Sequence, residues 1–193
     1  MEPQRKPYLT PEEYLAFERQ SEIRHEYLDG EAFAMSGGRL NHNFIVSNVT
    51  GELRRLLRDG PCGVCSSDQR VYVPATGLYT YPDVVVVCDE PQLQDSELDT
   101  LLNPTLLVEV LSPSTEAHDR GRKFEHYQTI ESLREVLLVS QHEPRVSHFH
   151  RQDHEQWLLT SVAGIEAAVS LPSLACALSL AEIYLKVDLS SSK

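Results

Sequence analysis

Two acidic residues stand where the sequence otherwise predicts buried β-strands. Asp83 opens the valine run of YPDVVVV (residues 81–87), and Glu109 lies inside TLLVEVLS (residues 105–112). An unpaired carboxylate is costly to bury, so such acids usually hold a cation, pair with a base or carry a proton. On neighbouring strands the two would form a small anionic pocket, as in sites that hold hard divalent cations for phosphodiester cleavage.

Cleavage at such a pocket also requires a positive charge near the developing negative charge. The backbone carbonyl of Val110 would complete the ligands of Mg²⁺ or Mn²⁺, because Mg²⁺ keeps several waters and needs few protein ligands. Leu111, two residues after Glu109, cannot supply the charge. The nearest candidate is Lys123, which would share a helix face with Tyr127.

The two acids also have purely structural interpretations. Asp83, which follows Pro82, would then cap the start of a strand or pair with an arginine. Glu109 would lie on an exposed strand face. Because structural ion pairs also contain perturbed acids, the residues alone leave both interpretations open.

Local signals predict the elements in front of the acidic pair. A capping box at residues 10–13, with proline at the first helical position, predicts a helix over residues 11–19. Asp29-Gly30 between two apolar-rich runs predicts a hairpin. A longer amphipathic helix follows Gly37-Gly38 and ends at Gly60-Pro61.

Strands make up most of the remaining chain. They are predicted near residues 63–67, 70–74, 82–88, 105–112, 135–139, 145–150 and 156–162. One helix is predicted around residues 119–129, and a last helix after Ser179, where Ser179 and Glu182 match a capping box. These elements predict one mixed α/β domain over residues 1–193, with a core at about 24–165.

Composition sets limits on partners and compartment. The 193 residues carry a formal charge of −12, which is not the basic footprint typical of nucleic-acid binders, although basic residues could still cluster on one face. The first residues lack the apolar segment of a signal peptide. We therefore expect a cytoplasmic protein whose four cysteines are reduced thiols. Cys62 and Cys65 form a C-x-x-C pair, for which buried thiols are favoured over zinc.

Several segments together resemble the Uma-two family of restriction endonucleases, within the PD-(D/E)XK nuclease superfamily. They are YPDVVVV (81–87), PTLLVEVLSPST (104–115), DRGRKFEHY (119–127), EYLDGE (26–31) and Asn41-His42. The resemblance extends from about Thr10 to Arg151. It implies a restriction-endonuclease-like fold, in which a mixed sheet of four to five strands is flanked by helices.

The resemblance also implies roles for individual residues. Asp83 matches the aspartate of the PD motif, and Glu109 matches the second acid. Leu111 stands where the family's lysine is expected, and Lys123 from the following helix is the best match for it. Tyr127 would support Lys123 or contact the nucleic-acid backbone.

Four further residues are second-rank candidates. Glu31 would approach the site from the hairpin, although a surface charge is slightly favoured. His42, near the start of a helix, would contact phosphate, with a solvent-facing histidine as the alternative. Arg120 and Arg122 are candidates for phosphate contacts.

The sequence thus predicts a Mg²⁺- or Mn²⁺-dependent endonuclease that acts on DNA. Cleavage of both strands would favour a homodimer, and a restriction role would call for a methyltransferase partner. The alternative is a nuclease-fold binding or assembly module that has lost efficient cleavage. The absence of lysine at position 111 and the acidic composition favour that alternative.

Overall fold

The computed structural model describes residues 8–35, 37–112, 116, 119–153 and 156–190. The helices are α1 (Pro11–Glu18), α2 (Leu40–Leu57), α3 (Phe124–Gln128), which continues directly from a π-helical segment (Asp119–Lys123), and α4 (Leu180–Ile183). The strands are β1 (His25–Leu28), β2 (Glu31–Ala34), β3 (Gly63–Ser66), β4 (Arg70–Val73), β5 (Leu78–Thr80), β6 (Val84–Val87), β7 (Thr100–Leu101), β8 (Leu106–Leu111), β9 (Glu135–Ser140), β10 (Arg145–Arg151), β11 (Trp157–Ala163), β12 (Ala168–Leu171) and β13 (Cys176–Ser179). In the described part of the chain, no helix is long and apolar enough to cross a membrane.

Turn and capping chemistry account for the first elements. The Thr10 hydroxyl accepts a hydrogen bond from the Glu13 N–H, and the Glu13 carboxylate accepts one from the Thr10 N–H, so the predicted capping box is present. Asp29 and Gly30 both have positive φ, 50° and 85°, as a tight hairpin turn requires. The turn fixes the register of β1 and β2, in which Leu28 faces Glu31.

The strands form two larger sheets and a two-stranded ribbon of β12 and β13. The first sheet has the order β2-β1-β5-β4-β7, and the second has the order β11-β10-β9-β8-β6-β3. In the second sheet β8 pairs antiparallel with β6 and parallel with β9, so the sheet is mixed as predicted. It has six strands rather than four to five.

Each face of the six-stranded sheet packs against a helix. Ile45, Val49 and Leu53 of α2 cluster with Val84 and Val86 of β6 on one face. Phe124 and Tyr127 of α3 cluster with Val85 of β6 and Leu107 of β8 on the other. Side chains alternate between faces along a strand, so Asp83 and Glu109, in phase with Val85 and Leu107, face α3.

The structure corrects three details of the secondary structure. The short strands β5 and β7 and the ribbon of β12 and β13 were not predicted. The capping box at Ser179 is wrong, because Ser179 makes no side-chain cap hydrogen bond. It ends β13, and the next N–H, that of Leu180, donates to the carbonyl of Ala167 instead.

The expectation of four reduced thiols is wrong for two of them. Cys62 and Cys88 form a disulfide, and Cys65 and Cys176 are free thiols. β3 and β6 are antiparallel, with Gly63 facing Val87. The two bonded cysteines are the next residues outward from that pair, and so they meet across the ends of the two strands.

Candidate active site

A cavity of about 510 Å³ opens where the two larger sheets meet. The chain crosses from the first sheet to the second between β5 and β6, through Tyr81, Pro82 and Asp83. The hairpin and the start of α2 form one wall, and β8 and the π-helical segment form another. The lining residues are Glu26, Phe33, Ala34, Met35, Gly37, Gly38, Arg39, His42, Tyr81, Asp83, Glu109, Val110, Ser112, Asp119, Lys123 and Gln141.

Asp83 is anchored through one carboxylate oxygen. The N–H of Val110 in β8 donates to Oδ2 of Asp83 at 2.7 Å. The other oxygen, Oδ1, lies 3.3 Å from Nε2 of His42 in α2. The first acid is therefore fixed to the strand that carries the second.

Glu109 is held in a similar way but is more deeply buried, with 5% of its surface exposed. The hydroxyl of Tyr127 donates to Oε1 at 2.5 Å, and Nζ of Lys123 lies 3.0 Å from the same oxygen. Burial raises the pKa of Glu109 to about 8, although the charge of Lys123 opposes this rise. An opposing cation beyond Lys123 would stabilise the ionised form of this acid.

Lys123 reaches the acids from the π-helical segment. Its Nζ lies 2.8 Å from Oε1 of Glu26, 3.0 Å from Oε1 of Glu109 and 3.9 Å from Oδ1 of Asp119. Burial opposes its charge, but the neighbouring acids, Glu109 above all, raise its pKa well above the ordinary value. The lysine therefore carries a proton in the folded protein.

His42 lies on the opposite side of Asp83 from this lysine. Burial opposes protonation of His42, but the hydrogen bond to Asp83 and the charge of that acid raise its pKa. Gly38 packs directly on the ring, since a Cβ at this position would lie 2.5 Å from Nδ1 of His42. The glycine thus leaves room for the imidazole beside the cavity.

The structure places the other sequence candidates differently. Tyr127 contacts Glu109, which was not predicted. Arg120 pairs with Glu116 and donates to Ser147, and neither Arg120 nor Arg122 lines the cavity.

The early acid at the site is Glu26 rather than Glu31. Both side chains point to one face of the hairpin, because Glu31 faces Leu28 and Leu28 is two residues from Glu26. The two side chains are, however, two residues apart along the strand direction, a separation of about 7 Å, and of the two only Glu26 lines the cavity. In the sequence, the alternation of apolar Tyr27 with acidic Glu26 along the strand could have indicated that Glu26 lies on the other face of the hairpin from the buried tyrosine.

Sequence reasoning missed three other lining residues. Asp119 begins the π-helical segment and lies four residues before Lys123, a spacing that could have drawn attention to it. Arg39 is an exposed cation at the start of α2. Gln141 follows β9 and carries no motif that would single it out.

Acidic residues outnumber lysine and arginine among the described residues that line the cavity. The acids are Asp83, Glu109, Glu26 and Asp119, and the buried cation beside them is Lys123. Among the described residues, no group of three or more His, Cys, Asp or Glu side chains is arranged to hold a metal ion. Two carboxylates with waters are nevertheless sufficient for Mg²⁺, so the donor set fits a hard divalent cation and not a structural zinc ion.

Comparisons with known proteins identify relatives over most of the chain. The model of the family Uma2, described as "Putative restriction endonuclease", matches residues 11–182. In Synechocystis sp., the "Uncharacterized protein slr1290" is 40% identical over 153 residues, which are 79% of this chain and 80% of that protein. The "Uncharacterized protein sll1609" of the same organism is 36% identical over 161 residues, 83% of this chain and 91% of that protein.

A solved structure has the same fold. It is the crystal structure of "a putative nuclease belonging to DUF820" from Anabaena variabilis. The TM-score is 0.74 at 18% sequence identity, and the match covers 91% of this chain and 97% of the other. The restriction-endonuclease-like architecture expected from the sequence therefore has a solved counterpart.

Proposed function

The chain belongs to the Uma2 family of putative restriction endonucleases, and from this premise we propose that it hydrolyses DNA phosphodiester bonds at the Asp83–Glu109 site with Mg²⁺ or Mn²⁺. One observation carries the proposal. A buried lysine lies 3.0 Å from Glu109, although position 111, where the family's lysine is expected, is leucine. The lysine missing from the strand is thus replaced by one from the adjacent helical segment.

One oxygen of each acid supports divalent metal binding. Oδ2 of Asp83 and Oε1 of Glu109 accept short protein hydrogen bonds, so the proposed metal ligands are Oε2 of Glu109 and Oδ1 of Asp83, where the metal would replace the contact with His42. The N–H of Val110 points towards Asp83. Because the N–H and C=O of one strand residue point to the same side of the strand, the Val110 carbonyl also points towards Asp83. The Val110 carbonyl is therefore a third candidate ligand.

Pro82 leaves the Val110 carbonyl without a hydrogen-bond donor from the neighbouring strand. Val84 faces Val108, so the register extended by two residues places Pro82 opposite Val110. Proline has no N–H to donate to the ladder. When bound, the divalent cation supplies a nucleophilic water at neutral pH and neutralises charge on the phosphate.

Each surrounding side chain then has a definite task. The ammonium group of Lys123 donates hydrogen bonds to the attacking water or to the phosphate oxygens. Tyr127 is a positioning residue, because its hydroxyl holds the Glu109 oxygen that also contacts the lysine. Arg39, exposed at the cavity mouth, replaces Arg120 and Arg122 as the proposed phosphate contact.

Plasmid and single-stranded DNA, incubated with Mg²⁺ or Mn²⁺, test this proposal. We expect cleavage by the wild type, loss of cleavage in Asp83→Ala and Glu109→Ala, and no change in Glu166→Ala, a control acid on the surface away from the cavity. Cleavage that persists in both cavity variants would show that a contaminant cuts the DNA.

The rival proposal is a binding or assembly module with the same fold. It is favoured by the formal charge of −12, which disfavours tight binding to a polyanion. A folded protein that binds Mn²⁺ but does not cleave DNA at any metal concentration would support the module.

The assembly and its partners are also proposals. Cutting both strands requires two sites, so we propose a two-fold homodimer. Light scattering of the purified protein tests it, and a monomer would contradict it. A cytoplasmic location and a methyltransferase partner follow only if the protein acts in restriction.

A further inference from the structure

Gln141 is a buried polar residue that the proposed chemistry does not use. It lines the cavity and exposes only 4% of its surface. Among the described residues no hydrogen bond to its side-chain amide is found, and the amide atoms are not among the fully enclosed polar atoms that lack a partner. The amide is therefore open to the cavity, where a ligand with a hydrogen-bond acceptor can reach it.

The backbone around Gln141 is held on both sides. The hydroxyl of Ser140 accepts hydrogen bonds from the N–H groups of His142 and Glu143, and the Ser140 carbonyl accepts one from the Tyr184 hydroxyl. These contacts fix the turn that follows β9. The amide is therefore presented from a rigid support.

Sheet order places Gln141 beside the metal ligands. β8 lies between β9 and β6, and Leu111 of β8 faces Ser140 of β9. Gln141 follows this pair directly, and its side chain lines the same cavity as Asp83 and Glu109. A phosphate at the two acids would lie within the same cavity as this amide.

We propose that the Gln141 amide donates a hydrogen bond to a non-bridging oxygen of the phosphodiester that is cleaved. This inference rests on the proposed nuclease function. Glutamine is among the side chains that contact nucleic-acid phosphates, and its NH₂ group carries two donors.

The charge of the cavity explains why a neutral donor suits this position. Among the described lining residues, Lys123 is the buried cation, and three carboxylates surround it. A second lysine or an arginine at position 141 would be attracted to the acids of the same cavity. An amide attracts them less strongly and stays available for an anionic substrate.

The substitution Gln141→Met tests the proposal, because methionine keeps the length of the side chain and removes both donors. Three quantities are measured for the wild type and the variant: Mn²⁺ affinity by calorimetry, binding of a labelled DNA oligonucleotide in Ca²⁺, and kcat/KM for cleavage in Mg²⁺. Gln156→Met, at an exposed position outside the cavity, is the matched control.

We expect Gln141→Met to lower oligonucleotide affinity or kcat/KM by about ten- to hundredfold, as the loss of one hydrogen bond to a charged group would. Mn²⁺ affinity and the melting temperature should not fall, because the amide has no hydrogen bond to another described residue that the substitution would remove. An oligonucleotide affinity and a kcat/KM both within about twofold of the wild type would overturn the proposal. Weaker Mn²⁺ binding would overturn it too, since Gln141 would then be a metal ligand.

The separate measurements distinguish this failure from failure of the proposed function. If the wild type binds the oligonucleotide but does not cut it, the nuclease proposal fails while the binding comparison still tests Gln141. If the wild type binds no oligonucleotide in any metal, both proposals fail.

Discussion

Glu109→Gln should stabilise the metal-free protein at neutral pH, although it removes an acid from the centre of the site. Burial raises the pKa of Glu109 from 4.5 to about 8. A raised carboxyl pKa means that the protonated form stabilises the fold. That stability is fully present below pH 4.5 and is lost as the pH rises through about 8.

The size of the effect follows from the shift of the pKa. The difference between about 8 and 4.5 is about 3.5 pH units, and each unit corresponds to about 1.36 kcal/mol. The wild type should therefore lose about 3 kcal/mol by pH 7 and about 5 kcal/mol above pH 8. Glutamine does not titrate and can still accept the hydrogen bond from Tyr127, so the variant should lack this pH dependence.

Urea unfolding at pH 5, 6, 7 and 8 in EDTA measures this difference. As the pH rises, the unfolding free energy of the wild type should fall towards that of Glu109→Gln and then below it. Addition of Mg²⁺ at pH 8 should raise the stability of the wild type alone, because the metal binds the ionised acid. A wild-type stability that rises between pH 5 and 8, or a variant that follows the wild type, would refute the reasoning.

Three other substitutions test the surrounding contacts. Lys123→Met leaves buried acids without their cation, so it should lower the unfolding free energy in urea without metal by about 3–5 kcal/mol and abolish cleavage. An unchanged unfolding free energy would contradict the buried ion pairs. Tyr127→Phe removes one hydrogen bond to Glu109, so it should lower the unfolding free energy by about 1–2 kcal/mol. It should also move the onset of Mn²⁺ binding to higher pH in calorimetric titrations, and the same onset as in the wild type would argue against this contact. Gly38→Ala should lower cleavage by displacing His42, whereas Gly37→Ala, whose Cβ would meet nothing within 4 Å, should cleave DNA normally; equal rates would separate His42 from the chemistry.

The sequence predicted those parts of the fold that local chemistry determines. The capping box at Thr10 and the Asp29-Gly30 turn act within a few residues, and both are present. β5 could not be found in this way, because its three residues acquire a strand conformation by pairing with β1 and β4. The disulfide between Cys62 and Cys88 likewise depends on the register of two strands.

The candidate site shows the same division. Residue types and the resemblance to the family singled out Asp83, Glu109 and Lys123. Glu26 was missed because its distance from Lys123, 2.8 Å, is set by the packing of one sheet against the other. Gln141 was missed because its place in the cavity depends on how the turn after β9 packs beside β8, which no local motif signals.

The site also has a consequence for folding, because Glu26 and Lys123 are 97 residues apart (123 − 26). Glu26 belongs to the five-stranded sheet, whereas Glu109 belongs to the six-stranded sheet and Asp83 directly precedes its strand β6. Such long-range contacts close large loops and generally form late. A nascent or partly folded chain would then lack the contact between Glu26 and Lys123, although Lys123 could already pair with Glu109 and Asp119. The metal ligands could assemble with the six-stranded sheet alone, whereas Lys123 would reach its final position only when the two sheets dock. A DNA-cutting activity would then arise only in molecules that have finished folding.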